Sequence, residues 1–218
     1  MASEFDPFAD AYDRWYDAPK GSAILQEEIQ CMRLLGVDFS TRWVEVGVGT
    51  GRFASTLHIK HGIDLSLPMA VKAMQRDIHV CVGRSEQLPF SRHAFDGVLM
   101  MLTLSFLENP KKAMQECIRV LRPDGKLVLG VIPADSPLGR AYTTKGKEGH
   151  PLYADARFYT VGETVRLTER TGFEFRRGCS ALFGEPDNPS SSDTRVETGI
   201  FAGAGFVGLL FDARHCGV

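Results

Sequence analysis

Short runs of apolar residues alternate along this chain with segments whose apolar residues recur at helical spacing. The first pattern is typical of strands buried in a parallel sheet, and the second of helices that cover such a sheet. The predicted strands lie near 42–46, 58–64, 78–82, 95–101, 127–132, 173–181 and 206–211. The predicted helices lie near 22–35, 52–57, 67–75, 110–121 and 161–171. This alternation predicts an α/β fold with a doubly wound sheet, in a single domain over residues 1–218.

The N-terminal segment has aromatic residues at helical spacing. Phe8, Tyr12, Trp15 and Tyr16 fall on one face of a helix. Such a face most often packs on the core of its own domain. The alternative is that residues 1–35 form lid helices, with Tyr12 or Trp15 closing over a bound cofactor.

Glycines at alternate positions follow the first predicted strand. This apolar strand contains Glu45, and Gly47, Gly49 and Gly51 come directly after it. Glycines in such a turn allow a ligand to lie against bare backbone N–H groups near a helix N-terminus. The third glycine comes one position too early for a dinucleotide fingerprint, and Arg52 stands where that pattern needs glycine. The loop therefore indicates a nucleotide-type cofactor site of another kind.

An acid ends the second predicted strand. Asp64 stands 19 positions (64 − 45) after Glu45, about where a βαβ unit places a carboxylate that binds both hydroxyls of a ribose. A surface Asp that starts a turn is the alternative, but the upstream glycine loop favours the ribose role.

Four motifs in this order resemble those of class I S-adenosylmethionine-dependent methyltransferases over about residues 40–132. They are Glu45–Gly51, Asp64, Glu86-x-Leu88-Pro89-Phe90 with Phe95-Asp96 downstream, and Arg119–Gly125. The resemblance is to the small-molecule group that includes quinone-biosynthesis C-methyltransferases. It implies a Rossmann-like, seven-stranded, mostly parallel sheet with an antiparallel last strand, S-adenosylmethionine as cofactor, and methyl transfer by in-line displacement.

The resemblance also implies which residues bind the cofactor. They are Glu45, Gly47, Gly49, Gly51, Asp64, Leu65, Met69, Ser85, Glu86 and Met101, with Tyr12 from the lid. The glycines would pass beneath the methionine part and ribose, Glu45 would meet the ammonium, and Leu65 would pack on the adenine. Met69 and Met101 are equally expected as core residues. Arg84 departs from the family pattern, because an acceptor is usual there and arginine only donates; we expect it to point to solvent.

The methyl acceptor should bind outside the matched motifs, between segments 133–160 and 184–202. His150, Tyr153 and Arg157 are the candidate catalytic residues there, with Phe158 and Tyr159 nearby. His150 is suited to take a proton from the acceptor, and Arg157 to hold a carboxylate or phosphate. A solvated histidine and a surface salt bridge are the commoner roles of these two residue types.

Composition and charge narrow the function classes. The net charge is −2 and no basic run exceeds Lys111-Lys112, so a nucleic-acid partner is disfavoured. The longest apolar run, Val98 to Leu107, is too short to span a bilayer. No secretory signal is visible, and five cysteines without a CxxC pair favour reduced thiols in a cytoplasmic protein. No metal site is predicted.

Two rival functions remain from the sequence. A non-catalytic or regulatory S-adenosylmethionine-binding protein would show the same glycine loop and Asp64. An NAD-dependent oxidoreductase is disfavoured by Arg52. The acceptor is left open among nitrogen, oxygen, sulfur and carbon nucleophiles, and the oligomeric state is not predicted.

Overall fold

The computed structural model describes residues 3–187 and 194–214, which form one sheet flanked by helices. The strands are β1 Trp43–Val46, β2 His61–Asp64, β3 His79–Val82, β4 Phe95–Met101, β5 Leu121–Val131, β6 Phe173–Ala181, β7 Glu197–Thr198 and β8 Phe206–Ala213. The helices are α1 Ala9–Asp17, α2 Pro19–Leu34, α3 Arg52–Thr56, α4 Leu67–Met74, α5 Pro110–Val120, α6 Pro137–Lys147 and α7 Val161–Glu169.

The strand order of the sheet is β3-β2-β1-β4-β5-β8-β6-β7. Strands β1 to β5 are parallel, and β8 lies antiparallel between β5 and β6. The predicted doubly wound sheet with an antiparallel last strand is therefore confirmed. The described residues contain one strand more than the seven expected, because the two-residue β7 pairs with β6 at the edge. The strand order reverses between β1 and β4, and ligands of such sheets bind at that point, outside the carboxyl ends of the strands.

The central strands are apolar because both faces of the sheet are covered. On β4, Leu99 and Met101 pack into one hydrophobic cluster, whereas Val98 and Met100 pack into the other. Alternate side chains of a strand point to opposite faces, so a strand buried on both sides needs a continuous apolar run. The central strands could therefore be predicted from the sequence as short apolar runs.

Helix α6 was not predicted. Its N-cap Ser136 accepts a hydrogen bond from the backbone N–H of Gly139 at 2.9 Å, and Pro137 occupies the first turn. Gly139 and Gly146 interrupt its apolar pattern, so the sequence did not predict a helix here. At Gly139 a side chain would collide with the carbonyl oxygen of Pro133, 2.0 Å from the Cβ position.

The expectation of reduced thiols is wrong for one pair of cysteines. Cys31 of α2 and Cys179 of β6 form a disulfide, with their Cα atoms 5.6 Å apart and both side chains fully buried. The two residues are 148 positions apart, so only the tertiary fold reveals the pair. Cys81 and Cys117 are free.

Candidate active site

A cavity of 1170 Å³ opens at the carboxyl ends of β1, β2 and β4. It therefore lies at the point where the strand order reverses. Its walls include the glycine loop after β1, Asp64 and Leu65 at the end of β2, and Met101 to Thr103 after β4. Helix α1 and the segment after α6 line it from outside the sheet.

The three glycines of the loop have different structural roles. Their φ angles are +75°, +53° and +83° at 47, 49 and 51, a left-handed conformation that favours glycine. At Gly47 a Cβ would meet the Thr103 side chain at 2.2 Å, and at Gly51 it would meet Ile78 at 2.6 Å. At Gly49 it would meet nothing within 4 Å. Gly47 and Gly49 line the cavity, whereas Gly51 allows close packing beneath the loop.

Asp64 connects the glycine loop to the start of α4. Its Oδ2 accepts a hydrogen bond from the backbone N–H of Gly49 at 2.7 Å, and its Oδ1 accepts one from Ser66 N–H at 2.8 Å. Burial raises the pKa of Asp64 although backbone hydrogen bonds oppose the change. A carboxylate has about four acceptor positions; backbone N–H groups, that of Leu65 among them, use part of this capacity, and the rest is left for a ligand in the cavity.

Glu45 is a buried acid beside the loop. It is 1% exposed, and its Oε2 has no hydrogen-bond partner among the described residues. Burial raises the pKa of Glu45 well above its usual range. A space of 20 Å³ separates it from Gly47, Gly49 and Tyr12. An unpaired buried carboxyl is costly, and a cationic group reaching this space would satisfy it.

We expected Arg84 to point to solvent, but the structure places its side chain in ion pairs in the cavity wall. Its side chain is 29% exposed and pairs with Glu108 at 2.6 Å and Glu86 at 3.6 Å. The Glu86 carboxylate also accepts hydrogen bonds from Asn109 N–H at 3.2 Å and Ser85 Oγ at 3.3 Å. These ion pairs hold Arg84 in the cavity wall beside Ser85 and Glu86. The predicted adenine-side residues Leu65 and Met69 line the same cavity.

Helix α1 covers the cavity and is anchored by ion pairs. Tyr12, Trp15 and Tyr16 line the cavity, and Tyr16, which is 4% exposed, also packs in the core. The ion pairs are Asp10–Lys72 at 2.6 Å, Asp13–Arg52 at 2.8 Å, Asp13–Arg76 at 3.0 Å and Asp17–Arg52 at 2.6 Å. Burial opposes ionisation of Asp13, but hydrogen bonds from Arg52 and Arg76 lower its pKa to about 2. Arg52, which excluded a dinucleotide fingerprint, thus anchors this helix.

The structure brings two of the three candidate catalytic residues to the cavity. His150 and Tyr153 line it, with ring centroids 4.8 Å apart. Arg157 is not among the lining residues; its guanidinium lies 5.0 Å above the Tyr159 ring. Of the segment 184–202, residues 186 and 187 line the cavity, and 188–193 lie outside the described residues.

Comparison with known proteins identifies the family. A family model for a methyltransferase domain matches residues 44–129. A crystal structure from Thermotoga maritima, of an S-adenosylmethionine-dependent methyltransferase described as a possible histamine N-methyltransferase, is 32% identical with a TM-score of 0.87. The match covers 97% of this chain and 99% of that one. This chain belongs to the S-adenosylmethionine-dependent methyltransferases.

Two sequence relatives are also similar to this methyltransferase. An uncharacterized protein of Methanocaldococcus jannaschii is 38% identical over 183 residues, which cover 84% of this chain and 87% of that protein. A demethylmenaquinone methyltransferase of Renibacterium salmoninarum is 30% identical over 178 residues, covering 78% of this chain and 75% of that protein. The resemblance to quinone methyltransferases predicted from the motifs is confirmed.

The residues of the methyltransferase cavity fit S-adenosylmethionine. The unpaired Oε2 of Glu45 suits the cofactor's ammonium, and the free acceptor positions of Asp64 suit its ribose hydroxyls. The open space at Gly49 leaves room for the cofactor against the backbone.

Sequence reasoning missed Glu28 as a cavity residue. Glu28 lies on α2, is 2% exposed and lines the cavity. Burial and then the nearby Glu27 carboxyl raise the pKa of Glu28 to about 8. The signal was present: buried positions of α2 recur at helical spacing, and both acids stand on that stripe in place of apolar residues. The buried positions are 21, 24, 27, 28, 29, 31 and 32.

Two leucines in the cavity wall have strained backbones. Leu102 follows β4 with φ +57°, and Leu182 follows β6 with φ +59°. Left-handed backbone at a bulky residue costs of order 1–3 kcal/mol and is concentrated at functional sites. The strain marks the same cavity as the polar residues.

The described residues contain no cluster of three or more His, Cys, Asp or Glu side chains arranged to hold a metal ion. Within the same described ranges, no helix is long and apolar enough to cross a membrane.

Proposed function

We propose that this methyltransferase moves a methyl group from S-adenosylmethionine to a small-molecule acceptor by in-line displacement. The observation that supports this most directly is the buried Glu45, whose Oε2 is unpaired, in a small space that shares Gly47 and Gly49 with the cavity lined by Asp64. When bound, the cofactor supplies a methyl group already activated by its sulfonium. The protein then needs mainly to align the acceptor and exclude water.

The proposed contacts follow from where each side chain lies. Asp64 would bind the ribose hydroxyls and Glu45 the ammonium, while Leu65 and Met69 would pack on the adenine. Gly51 supports the loop from beneath, because its Cβ position meets Ile78 and Ala73. Met101 ends β4 and lies in the wall of both the large cavity and the small space beside Glu45.

The acceptor would bind among the aromatic residues of α1 and segment 133–160, with 184–202 as a further wall and residues 1–35 as a lid. His150 and Tyr153 are in place to contact it. Its description as a possible histamine N-methyltransferase makes the Thermotoga maritima protein a precedent for a small acceptor. The net charge of −2 and the lack of a basic run favour an acceptor other than nucleic acid. We place the enzyme in the cytoplasm, away from membranes, although the Cys31–Cys179 disulfide removes reduced thiols as support for that location.

Calorimetric titration tests the cofactor. We expect micromolar binding of S-adenosylmethionine and S-adenosylhomocysteine, and no binding of NAD. Absence of binding by both S-adenosylmethionine and S-adenosylhomocysteine would refute the proposal. Formation of S-adenosylhomocysteine in the presence of acceptor panels then separates an enzyme from a protein that only binds the cofactor.

A further inference from the structure

A second buried carboxyl faces the cavity. Glu28 is 2% exposed, and its Oε2 has no hydrogen-bond partner among the residues that the structure describes. On α2 it stands in line with Ile24 and Lys20, which line the cavity as well. Glu28 does not line the small space beside the glycine loop, where Glu45 lies. It therefore lies outside the small space in which Glu45 is buried.

Three tyrosines line the same cavity as this carboxyl and lie within its electrostatic reach. Burial is the largest cause of the raised pKa of Tyr12, Tyr16 and Tyr142, and the charge of Glu28 adds to it in each case. The hydroxyls of Tyr12 and Tyr16 are 3.2 Å apart, and the Tyr142 ring stacks on Tyr153 at 4.6 Å. Aromatic faces around an acid are a typical environment for a cationic amine.

The charged groups nearby do not neutralise Glu28. Glu27 is on the same helix and Glu45 on β1, so both are of the same sign. Lys20 donates to a backbone carbonyl, and the Lys145 ammonium lies 5.5 Å from a tyrosine ring centroid. No ion pair joins either lysine to Glu28 within the described ranges. The carboxyl is thus buried, costly and available to a ligand.

We propose that Glu28 binds the amino group of the methyl acceptor, so that the acceptor is a small primary or secondary amine on an apolar or aromatic body. This rests on the proposed function, because it assigns the acceptor of that same cavity. An amine can form an ion pair with the buried carboxyl, whereas a carboxylate acceptor cannot. The tyrosine rings pack on the apolar body and face the cation.

Binding has a defined proton balance. A carboxyl with a pKa of about 8 holds a proton at pH 7, whereas a free alkylamine is then cationic. The complex holds one proton fewer than its separate parts, whichever of the two groups keeps the shared one. Amine binding should therefore release most of one proton to the buffer at pH 7, and less at pH 9.

Calorimetry on the full chain tests the assignment without knowledge of the natural acceptor. The probes are phenethylamine, histamine and the neutral phenethyl alcohol, each titrated with and without saturating S-adenosylhomocysteine. Two buffers of different ionisation enthalpy give the protons released. Glu28→Gln keeps the shape of the side chain, and Glu27→Gln is the matched control because Glu27 is buried on the same helix and is not among the cavity-lining residues.

We expect Glu28→Gln to weaken amine binding about 30-fold or more and to leave the alcohol unchanged. Glu27→Gln should keep amine affinity within about threefold and release fewer protons, because the pKa of Glu28 falls. S-adenosylhomocysteine should bind Glu28→Gln as tightly as the wild type.

Three results would overturn the assignment. They are equal amine affinity in Glu28→Gln, amine binding without proton release at pH 7, and no binding of either amine at millimolar concentration. Loss of S-adenosylhomocysteine binding in Glu28→Gln would place Glu28 at the cofactor instead. Amine binding through Glu28 in a protein that binds no sulfur compound would refute the proposed function and leave the amine site standing.

Discussion

Gly49→Ala isolates the contact between the glycine loop and the cofactor. Gly49 has φ +53°, and a Cβ there would meet nothing within 4 Å, so the variant can fold without a clash. An L-residue in the left-handed conformation costs about 1–2 kcal/mol. We therefore expect the free energy of unfolding to fall by about that amount and no more.

The effect on binding should be larger than the effect on stability. The new methyl group enters open space where the loop backbone meets the cavity, and overfilling a well-fitted site costs about 1–3 kcal/mol. This corresponds to a dissociation constant about 5- to 150-fold higher. The Gly49 N–H still donates to Asp64 in the variant, so the loss is steric.

Gly203→Ala is the matched control. Gly203 has φ +84°, its Cβ would also meet nothing within 4 Å, and it is exposed outside the cavity. Urea unfolding should give similar stability losses for both variants, while titration with S-adenosylhomocysteine should be weakened only by Gly49→Ala. Unchanged binding in Gly49→Ala would refute our account of the loop. Equal weakening of binding in both variants would show that the effect comes from backbone strain and not from a contact with the cofactor.

Three further predictions follow from the structure. Asp64→Asn should raise the dissociation constant for S-adenosylhomocysteine about 5- to 150-fold by calorimetry, through about 1–3 kcal/mol of lost charge-assisted hydrogen bonding, while the exposed Asp124→Asn should not. Asp13→Asn should lower the free energy of unfolding by about 1–2 kcal/mol after solvent screening. Because the pKa of Asp13 is depressed from 3.8 to about 2, the difference from wild type should be full above about pH 4 and vanish in urea titrations as the pH falls through 2. A reductant should lower the unfolding free energy by roughly 2–4 kcal/mol by opening Cys31–Cys179, and a stability unaffected by reductant would contradict that bond.

Local sequence patterns were enough to predict the elements that form the glycine-loop end of the cavity. Strand β1 was recognisable in the sequence as a short apolar run that carries one acid, Glu45. The glycines after it are left-handed because the turn requires it. Asp64 could be placed beside Gly49 because the parallel strands β1 and β2 end at one edge of the sheet. Each of these inferences needed residues close in sequence or one rule of sheet topology.

The acceptor side depended on contacts that no local pattern reveals. Helix α6 has glycines inside it, so Tyr142 was not recognised as a wall of the cavity. The disulfide partners and the Asp13–Arg52 pair are brought together only by the tertiary fold. Glu28 was missed as well, but the sequence contains a signal for it. An acid on a buried helical stripe breaks the pattern of apolar and polar positions.

Two buried carboxyls each have an unpaired Oε2, and we propose that each of them binds a different ligand. Glu45 and Glu28 are each almost fully buried at a cost in stability, and the charges of both act on Tyr12 of the covering helix. Replacing either one by a Gln of similar shape should cost the ligand-free protein little, since neither Oε2 has a partner to lose within the described residues. The same substitutions should weaken different ligands: the sulfur compound for Glu45 and the amine for Glu28. A buried acid that destabilises the free protein and selects one ligand is there for binding, because packing alone would have favoured an apolar residue at either position.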